Sequence, residues 1–270
     1  MRKIGINMHS MGGLTHEEYI KRIKALGFDS TFSSCYKDEK THVEIAELLA
    51  KYGIEYETLH APYGHINDIW LDCEGGEAMY NELIDCVDKC AAANVPYAVT
   101  HLSSGFTPPP ITDLGRARFA KIVEHAQKKN VIIAFENQRK LANFCWAMET
   151  FGAEDSVGFC WDCGHEACAT PGKEFMPLFG ERIVCTHIHD NNGTYNHDMH
   201  LIPFDGSINY NRFAEHIKNS GYQGSLMLEV IASENKCYGY DFYTEMNHDE
   251  YLEKAANAVK KLRDMVDGNN

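Results

Sequence analysis

The sequence predicts an α/β fold, a single (β/α)8 TIM barrel spanning residues 1–270 with its active site at the C-terminal ends of the strands. Three observations predict it. Short apolar runs alternate with amphipathic helical patterns from the first residues to the last, as in a parallel sheet with crossover helices. The length of 270 residues fits the roughly 250 residues of one such barrel. His, Asp and Glu recur where successive apolar runs finish, the rim that carries the chemistry of this fold.

Eight runs have the short, mostly apolar character of buried parallel strands: Lys3–Met8, Ser30–Cys35, Glu55–Leu59, Tyr97–His101, Val131–Glu136, Val157–Asp162, Ile183–His187 and Ser225–Val230. Helical patterns fill the intervals. Thr15-His16-Glu17-Glu18 forms a capping box ahead of Tyr19, Ile20, Ile23 and Leu26, with Gly27 as the stop. Val43 to Tyr52, ended by Gly53, is the second helix. Later ones are predicted over Glu77–Ala93, Asp113–Lys129, Leu141–Phe151, Glu174–Phe179, Tyr210–Ser220 and Asp249–Val266. Pro108-Pro109-Pro110 marks a loop rather than a linker, because the alternation continues on both sides.

Composition excludes several function classes. Lys and Arg total 25 against 39 Asp and Glu, a formal net charge of −14 that repels polyanions and disfavours a nucleic-acid partner. No run of apolar residues is long enough to span a bilayer and no leader-like pattern opens the chain, so the expectation is a cytoplasmic protein without a membrane partner. The ten cysteines are scattered through strand and helix patterns and read as reduced thiols.

The strand ends carry the chemistry. The third run finishes in His60-Ala61-Pro62-Tyr63, the fourth in Thr100-His101, the fifth in Glu136-Asn137 and the sixth in Asp162-Cys163-Gly164-His165. The seventh finishes in His187-Ile188-His189-Asp190 and the eighth in Glu229. One such residue has no special meaning. Six consecutive strand ends bearing imidazoles and carboxylates imply a cation, since converging groups of this kind stay repelled or unsatisfied until a divalent metal turns the cost into coordination. After the seventh run, Asp198-Met199-His200 adds an Asp-x-His pair whose alternate side chains point one way if the backbone is extended. His189 shares the face of His187 by strand alternation, so either could be a ligand.

These motifs, in this order and spacing over strands three to eight, resemble the xylose-isomerase-like barrel superfamily, which includes endonuclease IV and many sugar isomerases and epimerases. The endonuclease IV pattern implies a first metal on His60, His101 and Glu136, with Glu136 bridging to a second completed by Asp162, His187 and Glu229, and a third on His165, Asp198 and His200. Read toward the ketose epimerases, the resemblance keeps only the site of Glu136, Asp162, His187 and Glu229, with the two glutamates as catalytic proton shuttles. It prefers His187 over His189. The implied cofactors are one to three divalent ions, Zn, Mn, Mg or Co.

Two chemistries follow. In isomerisation or epimerisation a metal polarises a substrate carbonyl while Glu136 and Glu229 act as base and acid. In phosphodiester cleavage paired metals generate a hydroxide and stabilise the leaving oxygen. The complete ligand set favours the second, whereas the scarcity of cations near the ligands (Arg139, Lys140 and Lys173) and the short intervals between the motifs favour a small carbohydrate substrate. The segment Asp190-Asn191-Asn192-Gly193 departs from the Glu and Arg that ketose 3-epimerases place there. The sequence reading is therefore a metal-dependent sugar, sugar phosphate or polyol isomerase or epimerase, with an endonuclease IV-like hydrolase as the alternative. Tyr63, Trp161 and Tyr195 flank the ligands and are candidates for stacking on a sugar. A thiolate zinc site through Cys160, Cys163 and Cys168 is disfavoured for want of a second pair of ligands.

Overall fold

The computed structural model describes residues 1–268. Its strands are β1 (Ile4–Asn7), β2 (Ser30–Ser34), β3 (Glu55–His60), β4 (Tyr97–Thr100), β5 (Ile132–Glu136), β6 (Val157–Asp162), β7 (Ile183–His187) and β8 (Leu226–Leu228). They form one sheet in the order β7-β6-β5-β4-β3-β2-β1-β8. The strands at the two ends of that order meet through a parallel bridge between Ile188 and Leu228. There the Ile188 N–H donates to the Met227 carbonyl at 2.9 Å and the Glu229 N–H to the Ile188 carbonyl at 3.0 Å. The sheet thus returns on itself, as a (β/α)8 barrel requires.

Helices follow the strands: α1 (His16–Ala25), α2 (Glu39–Tyr52), α3 (Glu74–Ala92), α4 (Asp113–Lys129), α5 (Leu141–Phe151), α6 (Cys163–Ala169), α7 (Met176–Phe179), α8 (Tyr210–Ser220) and α9 (His248–Asp267). The chain divides into two compact units. The first comprises Met1–Phe32, Glu47–Tyr56 and the chain from Trp161 onward; the second comprises Ser33–Ala46 and Glu57–Cys160.

In the first unit β1 is the central strand, in register with β2 (Gly5 opposite Ser30) and with β8 (Gly5 opposite Met227). A Cβ at Gly5 would stand 2.5 Å from the Met227 and Ser30 side chains, so only glycine allows both neighbours to approach. The helix α9 buries Tyr251, Leu252, Ala255, Val259 and Leu262 along one stripe. It starts at the Asn247/Glu250 capping box, which satisfies otherwise orphaned N–H groups. The Thr15/Glu18 box opens α1 as the sequence predicts.

In the second unit β3, β4, β5 and β6 pair in parallel, with His60 opposite Val99, Thr100 opposite Phe135 and Glu136 opposite Cys160. Its core joins Trp70, Phe119 and Trp146, whose ring centroids lie 5.2–6.1 Å apart. Buried Arg118 donates to the Ile69 and Leu71 carbonyls at 2.9 and 2.7 Å.

Several helix bounds differ from the sequence reading. The α2 helix begins at Glu39 and α3 at Glu74, because polar first turns precede their apolar stripes. The predicted Glu174–Phe179 helix is a single turn, Met176–Phe179, followed by a 3-10 turn at Gly180–Arg182. Two further 3-10 turns, Ile66–Trp70 and Glu234–Tyr238, have no periodicity that a sequence pattern reveals. Among the described residues the cysteines form no disulfide. Among the described residues no helix is long and apolar enough to cross a membrane.

Candidate functional site

In the second unit three strand ends converge. His60 closes β3, His101 follows β4 and Glu136 closes β5, and their ligand atoms lie within 4.8 Å of one another. Glu136 Oε2 stands 2.7 Å from His101 Nε2 and 3.3 Å from His60 Nε2, and the carboxylate is 1% exposed. His60 Nδ1 lies 2.9 Å from the Ala61 carbonyl. That contact makes Nδ1 the protonated nitrogen and leaves Nε2 with its lone pair toward the glutamate, as a metal ligand needs. The Gln138 amide lies 3.1 Å from His101 Nε2. Tyr63, half exposed, sets its ring against both imidazoles at 5.2 and 4.5 Å.

In the first unit His165, His189, Asp198 and His200 bring four ligand atoms within 4.8 Å of one another. Asp198 is central: its Oδ2 is 3.0 Å from His165 Nε2, and its Oδ1 is 3.5 Å from His200 Nε2 and 3.7 Å from His189 Nε2. The His189 and His200 rings stack 4.1 Å apart. Asp162, fully buried, caps α6 by accepting the His165 backbone N–H at 2.6 Å, and its carboxylate also lies 3.1 Å from His189 Nε2. His187 Nδ1 lies 3.1 Å from Glu229 Oε2, and its ring stacks on Phe32 at 4.7 Å.

The electrostatics of the four-residue group follow from its burial. Desolvation pushes the Asp198 carboxyl upward, yet the charges and hydrogen bonds of His165 and His200 outweigh it and hold the group well below its usual range. Burial pushes His200 down, while Asp198, Glu229 and Asp162 raise it further, to about 10. An imidazolium is thus the local counter-ion for these carboxylates, a place that a divalent ion can take with release of the proton. Three imidazoles and one carboxylate are also a suitable donor set for zinc.

The model of a family described as xylose isomerase-like TIM barrel matches residues 20–262. The chain belongs to this family. An uncharacterised Sinorhizobium fredii protein, y4fM, is 29% identical over 218 residues, 73% of this chain; the match spans 63% of that protein, less than two thirds of its length. Among solved structures, a D-tagatose 3-epimerase-like protein superposes with a TM-score of 0.75 at 22% identity over 98% of both chains. A D-psicose 3-epimerase from Clostridium cellulolyticum H10, solved with D-tagatose, gives 0.80 at 14% identity over 98% of this chain and 99% of that one. These likenesses show the fold, with sugar epimerases among its structural neighbours.

In this xylose isomerase-like barrel each sequence-predicted ligand stands in one of the two units. His60, His101 and Glu136 come together in the second; His165, Asp198 and His200 come together in the first, where Asp162 touches His165 and where His187 and Glu229 face each other. His189, left open against His187 in the sequence, joins the four-residue group. Trp161 is 2% exposed and stacks on Phe213 at 4.7 Å, a core position rather than a sugar platform.

Residues with no ligand pattern build the support. Asp190 Oδ1 accepts the backbone N–H groups of Asn191 and Ile208 at 2.8 and 3.0 Å, and Oδ2 those of Phe204 and Gly206 at 3.0 and 3.1 Å. Burial raises its pKa against those four bonds. Asn191 accepts the Met199 N–H at 2.6 Å and donates to the Gly164 carbonyl at 2.9 Å. Together they fix the loop carrying Asp198 and His200, in which Asn196, His200 and Phe204 adopt left-handed φ of 61°, 47° and 76°. At Gly164 a Cβ would come 2.0 Å from the His189 ring, so the glycine is required by close approach. The signals were present, since Asp190 and Asn191 follow a strand directly and Gly164 lies inside a ligand motif, but backbone anchoring has no spacing rule to expose it.

Proposed function

We propose that this protein is a divalent-metal-dependent isomerase or epimerase of a small sugar, sugar phosphate or polyol. Buried imidazole–carboxylate groups at strand ends carry the reading: His101 and His60 around Glu136, and His187 against Glu229. Family membership supports it, as does the presence of 3-epimerases of tagatose and psicose among the structural neighbours. By the family resemblance Glu136, Asp162, His187 and Glu229 are the ligands of the working ion, and His60 and His101 attend Glu136. When bound, the ion supplies Lewis-acid polarisation of a carbonyl and lowers the cost of removing the adjacent carbon-bound proton.

The chain's own groups do the rest. Glu136 takes the proton, with the His60 and His101 rings packed around its carboxylate at fixed strand ends. Glu229 returns a proton, steadied through Oε2 by His187, whose ring is held flat on Phe32. Enzymes favour carboxylates whose affinity for protons is tuned by such neighbours. Incubation with ketoses in heavy water tests the proposal: deuterium should enter the carbon beside the carbonyl in the metal-loaded enzyme. Absence of exchange over a broad panel of ketoses and their phosphates, with Mn, Mg, Co and Zn each supplied, would refute it.

A hydrolase of the endonuclease IV type is the second reading, favoured by one observation, the assembled group of His165, His189, Asp198 and His200. The net charge of −14 opposes docking of a polyanion. Cleavage of abasic-site DNA by the zinc-loaded protein would decide for it.

A further inference from the structure

A cavity of about 240 Å³ opens where β1 and β8 finish, lined among others by His9, Ser10, Ala232, Ser233, Lys236 and Thr244. Its walls are tied together: the Ala232 N–H donates to the Ser10 carbonyl at 2.8 Å and the Ile231 N–H to the His200 carbonyl at 3.1 Å. Glu229 lies two residues before Ile231, so no more than about 10 Å of extended backbone separates it from the cavity wall. In a chain with 39 acidic residues, none of the ten residues lining this cavity is Asp or Glu. The wall instead offers the Lys236 ammonium, the His9 imidazole and the Ser233 hydroxyl, while the Ser10 hydroxyl is engaged by Tyr19 and the Thr244 hydroxyl by Asp241. The Lys236 ion pair with Asp241 is stretched to 4.0 Å with both side chains half exposed, leaving the ammonium able to take a stronger partner.

His9 adds a second observation. Its φ is +59°, a left-handed conformation that costs a residue with a side chain and concentrates at functional positions. The turn sets its ring 4.9 Å from His16 and 5.6 Å from Tyr19. Burial and then the neighbouring His16 lower its pKa, which favours the uncharged ring on a wall that also carries Lys236.

We propose that this cavity is the subsite for an anionic terminus of the substrate, a phosphate or a carboxylate at the end of the sugar remote from the carbonyl, with Lys236 and His9 as its specificity-determining residues. The proposal rests on the isomerase reading for the identity of the rest of the ligand. Within it the enzyme prefers a ketose phosphate or a keto-uronic acid to the parent sugar.

Calorimetric binding and solvent-deuterium exchange are measured on the metal-loaded protein with D-psicose, D-psicose 6-phosphate and D-fructuronate. One charge-assisted contact of 1.5–3 kcal/mol corresponds to roughly 10- to 100-fold in affinity. The phosphate or the uronate is therefore expected to bind at least about 10-fold tighter than D-psicose, and which of them does so names the anion. Lys236→Met should collapse that ratio toward unity, and Lys218→Met, an exposed lysine of α8 outside the cavity, should leave it intact. His9→Asn tolerates the left-handed φ and lacks the imidazole, and it should reduce the ratio severalfold. Equal binding of charged and neutral ligands, or a ratio indifferent to Lys236→Met, overturns the subsite whatever the exchange result. Anion binding that depends on Lys236 without exchange in any ligand leaves the subsite standing and removes the isomerase reading.

Discussion

His60, His101 and Glu136 reach their common point straight from the ends of β3, β4 and β5, whereas the group around Asp198 is assembled from a helix start, a strand extension and a loop. In the first case the parallel ladder fixes each candidate ligand: register levels His101 with Glu136, and the His60 side chain reaches them from two residues lower. In the second, His165 depends on Asp162 capping α6, and Asp198 and His200 depend on Asp190 and Asn191 gathering the backbone N–H groups of their loop. The strand-end trio costs little beyond burial of its charge. The loop group needs dedicated support, which comes from Asp162, Asp190 and Asn191 accepting backbone N–H groups.

The sharpest test of this contrast separates loss of chemistry from loss of structure. Glu136→Gln is expected to lower the deuterium-exchange rate by about 100- to 10,000-fold with little change in the urea midpoint, because the strand holds the side chain in place. Asp190→Ala should do the reverse in kind. It leaves four buried or half-buried N–H groups without their acceptor, at about 1–3 kcal/mol for each that water cannot reach. A loss of roughly 3–5 kcal/mol in urea unfolding and a weaker zinc affinity at His165, His189, Asp198 and His200 are expected. An unchanged zinc affinity would show that the loop does not depend on this carboxylate.

Gly164→Ala should cost about 1–3 kcal/mol, the usual range for overpacking, by displacing the His189 ring. Its zinc content, read by elemental analysis, should fall more than that of Ala167→Ser, a mild control on the exposed face of α6. Glu166 gives a smaller, pH-dependent effect. Burial, opposed by its hydrogen bonds to the Phe175 N–H and the Trp161 Nε1, raises its carboxyl from 4.5 to about 7. The neutral form suits the fold, so its stabilisation is complete below pH 4.5 and is lost as pH rises through about 7. Glu166→Gln should therefore be more stable than the parent at pH 8 by up to about 3 kcal/mol, less where water screens the group, and no more stable at pH 4. The finest effect is a proton count. With His200 raised to about 10, zinc uptake by the loop group at pH 7 should release about one proton per ion, seen as a dependence of the calorimetric heat on buffer ionisation enthalpy.

Much of this architecture is legible in the amino-acid order, and the exceptions have physical causes. All eight strands are recognisable because buried parallel strands are short apolar runs, and six candidate ligands, His60, His101, Glu136, Asp162, His187 and Glu229, are recognisable because each stands where its run stops. The helix α6 is hidden because Asp162-Cys163-Gly164-His165 reads as a ligand motif while Asp162 is at the same time an N-cap. The expected helix at Glu174 starts later, as Glu174 instead forms a two-point ion pair with Arg212 at 2.9 Å for each contact. His9 also follows a strand end, but its role depends on a left-handed turn that no spacing announces. Asp190 and Asn191, which on family pattern are a departure from substrate-gripping residues, owe their identity to the backbone they hold.

The four-way grip of Asp190 on its loop has a consequence for how a divalent ion would come and go. In small zinc modules the metal is the keystone, and chelation unfolds them. Here the chain carries its own fastening, so a chelated molecule should retain a ready-made cradle, and one divalent species should exchange for another without rebuilding the barrel around it.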